Sequence, residues 1–248
     1  MIERPSPNRE PRPAGVRPHL VILHYTGMPA AADALDRLCD PGARVSAHYL
    51  IDEDGTLYRL VDESERAWHA GISAWEGESD VNSHSIGIEL HNPGHEFGYR
   101  PFAEAQIVRL VAVLRQIVPR YRIRPWHILG HSDVAPERKQ DPGELFPWPR
   151  LADAGFGLWP PPQPDSGLLP PLATVQEMLH RFGYRVPRDG RDGPATRAVI
   201  AAFQRHWRPQ RIDGVADAET IAILERLLKM KAAATRTAAG EIRRGERS

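Results

Sequence analysis

The chain has very little cysteine, no net charge and no long apolar run, and each absence excludes a class of protein. Cys39 is the single cysteine among 248 residues, which excludes an internal disulfide and a thiolate metal cluster. The 32 basic and 32 acidic side chains cancel, so no general attraction for nucleic acid or an anionic membrane is expected. No apolar stretch is long enough for a membrane span. A globular protein is predicted, and any zinc in it must be bound by histidine and carboxylate.

The N-terminal segment also lacks the features of an export signal. Residues 1–21 are rich in proline and arginine, and no apolar region precedes residue 20. We therefore expect a cytoplasmic protein, with a periplasmic or envelope-associated location as the alternative.

A proline-rich segment divides the chain. Residues 160–171, PPPQPDSGLLPP, cannot sustain a helix or a central strand, and they predict a stiff linker. A front domain at 1–159 and a back domain at 172–230 follow, with a flexible tail predicted at 231–248 because its apolar content is low. Nine of the 11 histidines lie between residues 19 and 131, so the chemistry is expected in the front domain.

The front domain alternates predicted strands and helices. The short segments rich in Ile, Leu, Val or aromatic residues predict strands at 19–25, 47–52, 56–61, 85–91 and 126–130. Helical spacing occurs at 30–39 and 102–121. The predicted fold is α/β, a mixed β-sheet flanked by helices.

The back domain has three predicted helices and an internal repeat. DGRDGPATRAVI from Asp189 and DGVADAETIAIL from Asp213 align with Asp, Gly and Thr in register. Each copy reads as a turn that leads into a helix, in which glycine permits positive φ and threonine lies near the first helical turn.

The run HSDVAPERKQDPGELFPW at 131–148 has the polar content of a functional loop. It contains His131, Lys139 and Asp141 within a segment bounded by proline and glycine. An imidazole with a carboxylate is a common part of an open catalytic zinc site, which needs a third ligand.

Two other histidines are candidates for the same site. His24 ends one predicted strand and His131 follows another, so both can project from one edge of the sheet. His127 and His131 would stand about 13 Å apart if 126–130 is a strand, too far to share one metal ion. His127 is therefore interpreted as a packed histidine or a support for the site.

Glu89 is the candidate general base. In the predicted strand SIGIEL, Gly87 and Glu89 share a face, and the glycine is expected to leave room for substrate or a metal-bound water. The alternative is a carboxylate paired with Arg or Lys at the edge of the sheet.

Five segments of the front domain resemble, in order, the zinc-dependent N-acetylmuramoyl-L-alanine amidases of the AmpD and AmiD type. They are LHYT at 23–26, SAHYLIDEDG at 46–55, RAWHAG at 66–71, SIGIELHNPG at 85–94 and GHSDVAPERKQDPG at 130–143. The back domain resembles the three-helix peptidoglycan-binding module of cell-wall hydrolases, through its repeat and AFQ at 202–204.

The resemblance implies one Zn²⁺ bound by His24, His131 and Asp141, with Glu89 as the catalytic carboxylate and Lys139 beside the metal. It implies hydrolysis of the amide between N-acetylmuramic acid and L-alanine in peptidoglycan or muropeptides. Related recognition proteins that bind without cutting typically lack a zinc ligand, whereas this chain has the family's residue at each position. Such a recognition protein and a phage-type lytic amidase are the alternative functions.

Four further residues are candidates for contact with substrate. His48 either faces the cleft or is packed, and Trp68 with His69 forms either a wall for sugar or peptide or a corner of the core. Asn92 either binds a peptide carbonyl or serves the turn before Pro93 and Gly94.

Overall fold

The front domain is built on a six-stranded sheet, and the computed structural model describes residues 1–162, 167 and 169–245, with side chains to residue 236. The strands are β1 (Ile2–Glu3), β2 (Arg9–Pro11), β3 (Leu20–Tyr25), β4 (Tyr49–Ile51), β5 (Leu57–Arg59), β6 (Glu65–Ala67), β7 (Ser85–Leu90) and β8 (Ile128–Gly130). The sheet order is β1-β5-β4-β7-β3-β8, and β2 pairs with β6 in a separate two-stranded sheet. The central β4, β7, β3 and β8 are parallel, whereas β4 and β5 are antiparallel. The mixed sheet predicted from the sequence is confirmed.

The described part of the chain also contains these helices: α1 (Ala31–Cys39), α2 (Val81–His84), α3 (Gly94–Phe97), α4 (Glu104–Tyr121), α5 (His131–Val134), α6 (Trp148–Asp153), α7 (Leu172–Phe182), α8 (Pro194–Trp207) and α9 (Ala218–Gly245). Helix α4 covers one face of the sheet. Its apolar stripe, including Ile107 and Leu110, joins a buried cluster with Val21, Leu23 and Ile88 of the strands. Since side chains alternate along a strand, the neighbouring residues of β3 point to the opposite face.

On that opposite face, the buried core continues into the back domain. Leu20 and Ile22 of β3 belong to one continuous buried cluster with Val175, Leu179 and Phe203 of the three C-terminal helices and their neighbours. At Gly183, which ends α7, a Cβ would lie 2.5 Å from the ring of Trp75, so glycine permits the close approach of the two domains. The proline-rich segment therefore joins two domains that share a core.

The repeat of the back domain is a pair of equivalent turns, each held by a glutamine. Gln176 donates to Thr196 Oγ1 at 3.0 Å and accepts from the backbone N–H of Gly190 at 2.8 Å. Gln204 donates to Thr220 Oγ1 at 3.3 Å and accepts from Gly214 N–H at 2.9 Å. Each glutamine also donates to the aspartate and to a carbonyl of its turn. In each copy of the repeat, the aligned Asp, Gly and Thr are therefore hydrogen-bond partners of one buried glutamine side chain.

Two predicted segments differ from the structure. Residues 125–127 form a 3₁₀ turn, so the strand predicted at 126–130 begins only at Ile128, because Pro125 starts the turn. Helix α9 extends to Gly245 through most of the predicted tail, and its Ala, Lys, Arg and Glu residues have high helix propensity. Residues 163–166, 168 and 246–248, parts of the predicted linker and tail, lie outside the described residues. Among the described residues, no helix is both long and apolar enough to cross a bilayer.

Candidate active site

The carboxyl ends of β3 and β8 bring together the three residues expected to bind metal. His24 is the fifth residue of β3, and His131 begins α5 directly after β8. Asp141 comes from the loop that returns to α5, where its carbonyl oxygen accepts from the Ser132 N–H at 2.9 Å. All three side chains are buried and form a group that can hold a metal ion.

The two imidazoles present the same atom to the carboxylate. His24 Nδ1 and His131 Nδ1 are 3.0 Å apart, and Asp141 Oδ2 lies 2.9 Å from the first and 3.0 Å from the second. Burial alone would raise the pKa of the Asp141 carboxyl, but the adjacent imidazoles of His131 and His24 lower it well below its usual range. Burial and His131 lower the pKa of His24 to about 4. Asp141 is therefore an ionised carboxylate, and His24 is neutral.

The hydrogen bonds behind His24 determine which of its nitrogens carries the proton. The Ser85 hydroxyl donates to the Val81 carbonyl at 2.6 Å, so it accepts from His69 Nε2 at 3.1 Å. His69 Nδ1 is then an acceptor, and it receives the His24 Nε2–H at 3.0 Å. The lone pair of His24 Nδ1 is left facing Asp141. Such outer hydrogen bonds commonly fix the tautomer of a metal-binding histidine.

His131 is oriented in the same way by a backbone carbonyl. Its Nε2–H donates to the Ala70 carbonyl at 3.0 Å, which leaves the Nδ1 lone pair facing the other two ligands. Arg138 donates to the Ala70 carbonyl at 2.7 Å and to the Ile72 carbonyl at 2.8 Å, so it holds this segment in place. The Nδ1 lone pairs of His24 and His131 and a carboxylate oxygen of Asp141 therefore face one another within about hydrogen-bond distance. Their mutual repulsion is relieved by a shared cation, so the donor set fits a metal ion.

Glu89 lies beside His24 on the neighbouring strand. The two residues are register partners in the parallel pair of β3 and β7, so their side chains share a face of the sheet. Glu89 Oε2 is buried and has no hydrogen-bond partner among the described residues. Burial raises the pKa of the Glu89 carboxyl well above its usual range, and Asp141 raises it further, whereas Lys139 lowers it. A carboxyl group with an unpartnered buried oxygen and a raised pKa suits a group that takes up and releases a proton.

These residues line a cleft of about 690 Å³. Its walls include Lys139, whose position near the metal group the sequence predicts, and Arg138, Phe97 and Tyr25, which it does not. Arg138 belongs to the same polar loop as Lys139, and this neighbourhood is the feature of the sequence that could have indicated a place for Arg138 in the cleft. Phe97 lies on the short helix α3, and the sequence contains no periodic pattern that marks it.

Of the four candidates for substrate contact, His69 alone is among the residues that line the cleft. Its ring covers Gly87, where a Cβ would lie 2.4 Å from it, so the space expected above this glycine is occupied by imidazole. His48 is completely buried and accepts from the Gly87 N–H at 3.0 Å, while burial and Arg12 lower its pKa to about 3. The packed interpretation of His48 is the one that the structure supports.

The other two candidates have local partners. The Trp68 indole N–H donates to Glu10 at 3.2 Å, away from the cleft. Asn92 donates to the Arg100 carbonyl at 2.7 Å and accepts from the Gly94 N–H at 3.1 Å, which is the turn role. His127 is not predicted to bind the metal. Its Nδ1 lies 3.1 Å from the His19 carbonyl oxygen, and its Nε2 lies 2.8 Å from Glu76 Oε2.

Two protein-family models match this chain, one over each domain. Residues 14–144 match the family model Amidase_2, N-acetylmuramoyl-L-alanine amidase, and residues 170–224 match PG_binding_1, a peptidoglycan-binding domain. The chain belongs to the Amidase_2 family. It is an N-acetylmuramoyl-L-alanine amidase, a hydrolase of the amide between the N-acetylmuramoyl group and L-alanine.

Both domains of the amidase have counterparts in its relatives. It is 41% identical over 245 residues to the amidase AmiD of Escherichia coli, a match that covers 89% of this chain and 86% of the relative. It is 38% identical to the 1,6-anhydro-N-acetylmuramyl-L-alanine amidase AmpD of Enterobacter cloacae over 164 residues, 59% of this chain and 86% of the relative. The AmpD match therefore leaves about two fifths of this chain uncovered.

Solved structures show the same fold over most of the amidase. The E. coli AmiD complex with anhydro-N-acetylmuramic acid-L-Ala-D-γ-Glu-L-Lys has a TM-score of 0.77 at 38% identity and covers 88% of this chain and 92% of that one. The complex of AmpDh3 from Pseudomonas aeruginosa with anhydromuramic pentapeptide has a TM-score of 0.79 at 33% identity, with 90% and 96% covered. The alternative of a non-catalytic recognition protein is not supported, since this chain belongs to the enzyme family.

Proposed function

We propose that the amidase is a zinc enzyme in which His24, His131 and Asp141 hold the ion and Glu89 transfers protons. The observation that carries this proposal is that His24 Nδ1, His131 Nδ1 and Asp141 Oδ2 lie 2.9 to 3.0 Å apart, while the Nε2 atom of each histidine has its own hydrogen-bond acceptor. Two imidazole nitrogens and one carboxylate oxygen are a usual ligand set for catalytic zinc and leave a coordination position open. When bound there, Zn²⁺ supplies Lewis acidity, which polarises a carbonyl and lowers the pKa of a water molecule.

Glu89 carries the protons of the reaction. Its carboxylate takes a proton from the attacking water, and the carboxylic acid then gives that proton to the departing nitrogen of L-alanine. The bond between the lactyl carbonyl carbon and the nitrogen breaks as the new carbon–oxygen bond is completed. Water and amide become a lactyl carboxylic acid and a free peptide amine. The buried, unpartnered Oε2 and the raised pKa support this role.

Lys139 is proposed to stabilise negative charge. Its side chain lines the cleft, and its charge acts on both Glu89 and His24. As water adds, the amide oxygen gains negative charge, and an ammonium group nearby lowers the energy of that state more than the energy of the bound substrate.

We propose muropeptides with an anhydro-N-acetylmuramic acid end as substrates, since AmiD and AmpDh3 have been crystallised with such molecules. The match of residues 170–224 to PG_binding_1 supports binding of the polymer by the back domain. Polymer exists in the cell envelope, whereas the cytoplasmic location predicted from the sequence suits small muropeptides. Cell fractionation with detection of the full-length chain distinguishes the two locations.

Single substitutions separate the proposed roles. Asp141→Ala should lose zinc and activity together, because one of three ligands is removed. Glu89→Gln should keep one zinc per chain and lose turnover by about 10²- to 10⁴-fold, the usual contribution of a positioned acid or base. Zinc is measured by mass spectrometry of the purified protein, and turnover by release of free peptide from anhydro-muropeptide. Near-normal turnover in Glu89→Gln would show that another group transfers the proton, and full activity without metal would rule out the zinc mechanism.

A further inference from the structure

A buried carboxylate, Asp133, lies where the two domains meet, and the proposed mechanism does not use it. Asp133 is on α5, two residues after His131, and is 0% exposed. Its Oδ2 accepts from the backbone N–H of Gly130 at 2.8 Å, at the N-terminus of α5. This bond closes the turn from β8 into the helix that carries His131.

Two side chains of the back domain donate to the same carboxylate. The Tyr184 hydroxyl donates to Asp133 Oδ1 at 2.6 Å, and His206 Nδ1 lies 2.7 Å from Asp133 Oδ2. Both side chains are almost completely buried. A carboxylate removed from water requires such donors, so Asp133 depends on the back domain for its stability.

Aromatic packing holds both donors in place. The His206 ring is stacked between Trp148 of the front domain and Trp207 of α8, with ring centroids 3.6 Å away on each side. The Tyr184 ring packs edge-on against Trp75 of the front domain at 4.9 Å. Neither donor can turn away from Asp133 without disrupting a buried aromatic contact.

Helix α5 connects Asp133 to two of the metal ligands. His131 is its first residue, and the N–H of Ser132, between His131 and Asp133, donates to the carbonyl of Asp141. A displacement of α5 therefore moves His131 and loosens the loop that carries Asp141.

We propose that Tyr184 and His206 are positioning residues of the metal centre, which act through Asp133 on His131. The inference rests on the proposed zinc function. The back domain is then a structural part of the catalytic unit, in addition to any role in binding polymer.

The test compares two tyrosines in full-length protein. Tyr184→Phe removes the hydroxyl that donates to Asp133. Tyr49→Phe is the matched control, because the buried Tyr49 hydroxyl also donates to a buried carboxylate, Glu63, at 2.6 Å, but away from the cleft. Both variants should unfold at lower temperature. Tyr184→Phe alone should weaken zinc binding, by about tenfold as expected for loss of an outer support of a ligand, measured by competition with a chelator.

A second pair of variants separates the donor from the ring of His206. His206→Phe keeps a ring between the two tryptophans and loses the donor, whereas His206→Asn keeps an N–H near the position of Nδ1 and loses the ring. We expect His206→Phe to weaken zinc binding as Tyr184→Phe does, and His206→Asn to bind zinc more tightly than His206→Phe. This pair also supplies the comparison if Tyr184→Phe does not fold.

Unchanged zinc affinity in Tyr184→Phe and His206→Phe would overturn the positioning role, whatever their stability. The zinc measurement does not depend on turnover. A wild-type chain that binds zinc but releases no peptide would therefore contradict the proposed mechanism and leave the positioning role standing. A wild-type chain that binds no zinc would overturn both.

Discussion

His69 shows how a single glycine supports the metal group. Its imidazole lies against Gly87, receives the His24 Nε2–H and donates to Ser85, so His24 is held with Nδ1 toward Asp141. Hydrogen-bonded supports of this kind contribute to metal affinity, because they fix the orientation of the ligand before the ion binds.

Gly87→Ala should weaken this support. The added methyl would lie 2.4 Å from the His69 ring, so the ring must move and His24 loses its acceptor. We expect zinc affinity to fall about tenfold and the free energy of unfolding to fall by about 1–3 kcal/mol, the usual cost of overpacking. Gly193→Ala is the control, because its Cβ would meet open space. Zinc competition and urea unfolding of both variants are the measurements, and wild-type zinc affinity in Gly87→Ala would refute the support by His69.

The sequence predicts the placement of some site residues better than others. The placement of His24 at the end of one strand and of Glu89 on the same face as Gly87 follows from the strand patterns, whereas the pairing that brings His24 and Glu89 together is a tertiary contact. His69 does not follow, since its position depends on the segment between β6 and α2 crossing the sheet to Gly87, which is a tertiary contact. The prediction of free space above Gly87 was wrong for the same reason, because the His69 ring occupies that space.

At the scale of elements, the paired turns of the back domain depend on two buried amides. Gln204 joins the end of α8 to the turn at 213–215 and to the start of α9 through Thr220. It is completely buried, so its hydrogen bonds are shielded from water.

Gln204→Leu should destabilise the protein by about 1–3 kcal/mol, because the buried Gly214 N–H loses its acceptor and the Val215 carbonyl loses a donor. Urea unfolding measures the change. Arg197→Ala is the control, since Arg197 forms an exposed ion pair with Asp192 and exposed pairs contribute little. Equal stabilities of the two variants would show that the glutamine does not clamp the turn.

The longer elements are predictable from the sequence, whereas the short ones are not. Strand β3 and helix α4 have enough periodic apolar residues to define their faces. Helices α2, α3 and α5 have four residues each, too few for a periodic pattern, and they form because the flanking strands fix their ends. The pairing of β2 with β6 depends on contacts between distant segments.

At the scale of the whole molecule, Glu76 joins the two domains by charge. Its carboxylate contacts His127 Nε2 at 2.8 Å and forms an ion pair with Lys231 of α9, while its N–H donates to the Gly183 carbonyl. Burial alone would raise the pKa of Glu76, but the hydrogen bonds from His127 and Lys231 lower it from 4.5 to about 2.

This lowered pKa makes the domain contact sensitive to acid. Between pH 4.5 and 2, Glu76 is protonated in the unfolded chain but remains ionised in the folded chain. The stabilisation by Glu76 is therefore complete above pH 4.5 and is lost as the pH falls toward 2. The side chain is 32% exposed, so we expect about 1–2 kcal/mol after solvent screening. Urea unfolding of wild type and Glu76→Gln should show this difference at pH 7 and less than half of it at pH 3. A difference that stays constant with pH would contradict the charge interaction.

The packing of the two domains against each other is the part of the architecture that sequence patterns describe least well. Composition indicates a boundary at the proline-rich segment, but Leu20 and Ile22 have the pattern of ordinary strand residues, and nothing in that pattern specifies that their cluster continues into the C-terminal helices. The shared cluster depends on the complementary shapes of distant surfaces, including the close contact of Gly183 with Trp75.

The shared cluster restricts how this enzyme can be recombined with others. Exchange of the three helices for a foreign module would uncover apolar side chains of the front domain that pack against them, such as Trp75, and an apolar patch of this kind promotes self-association. A viable chimera therefore needs compensating substitutions on the front domain as well as a new linker.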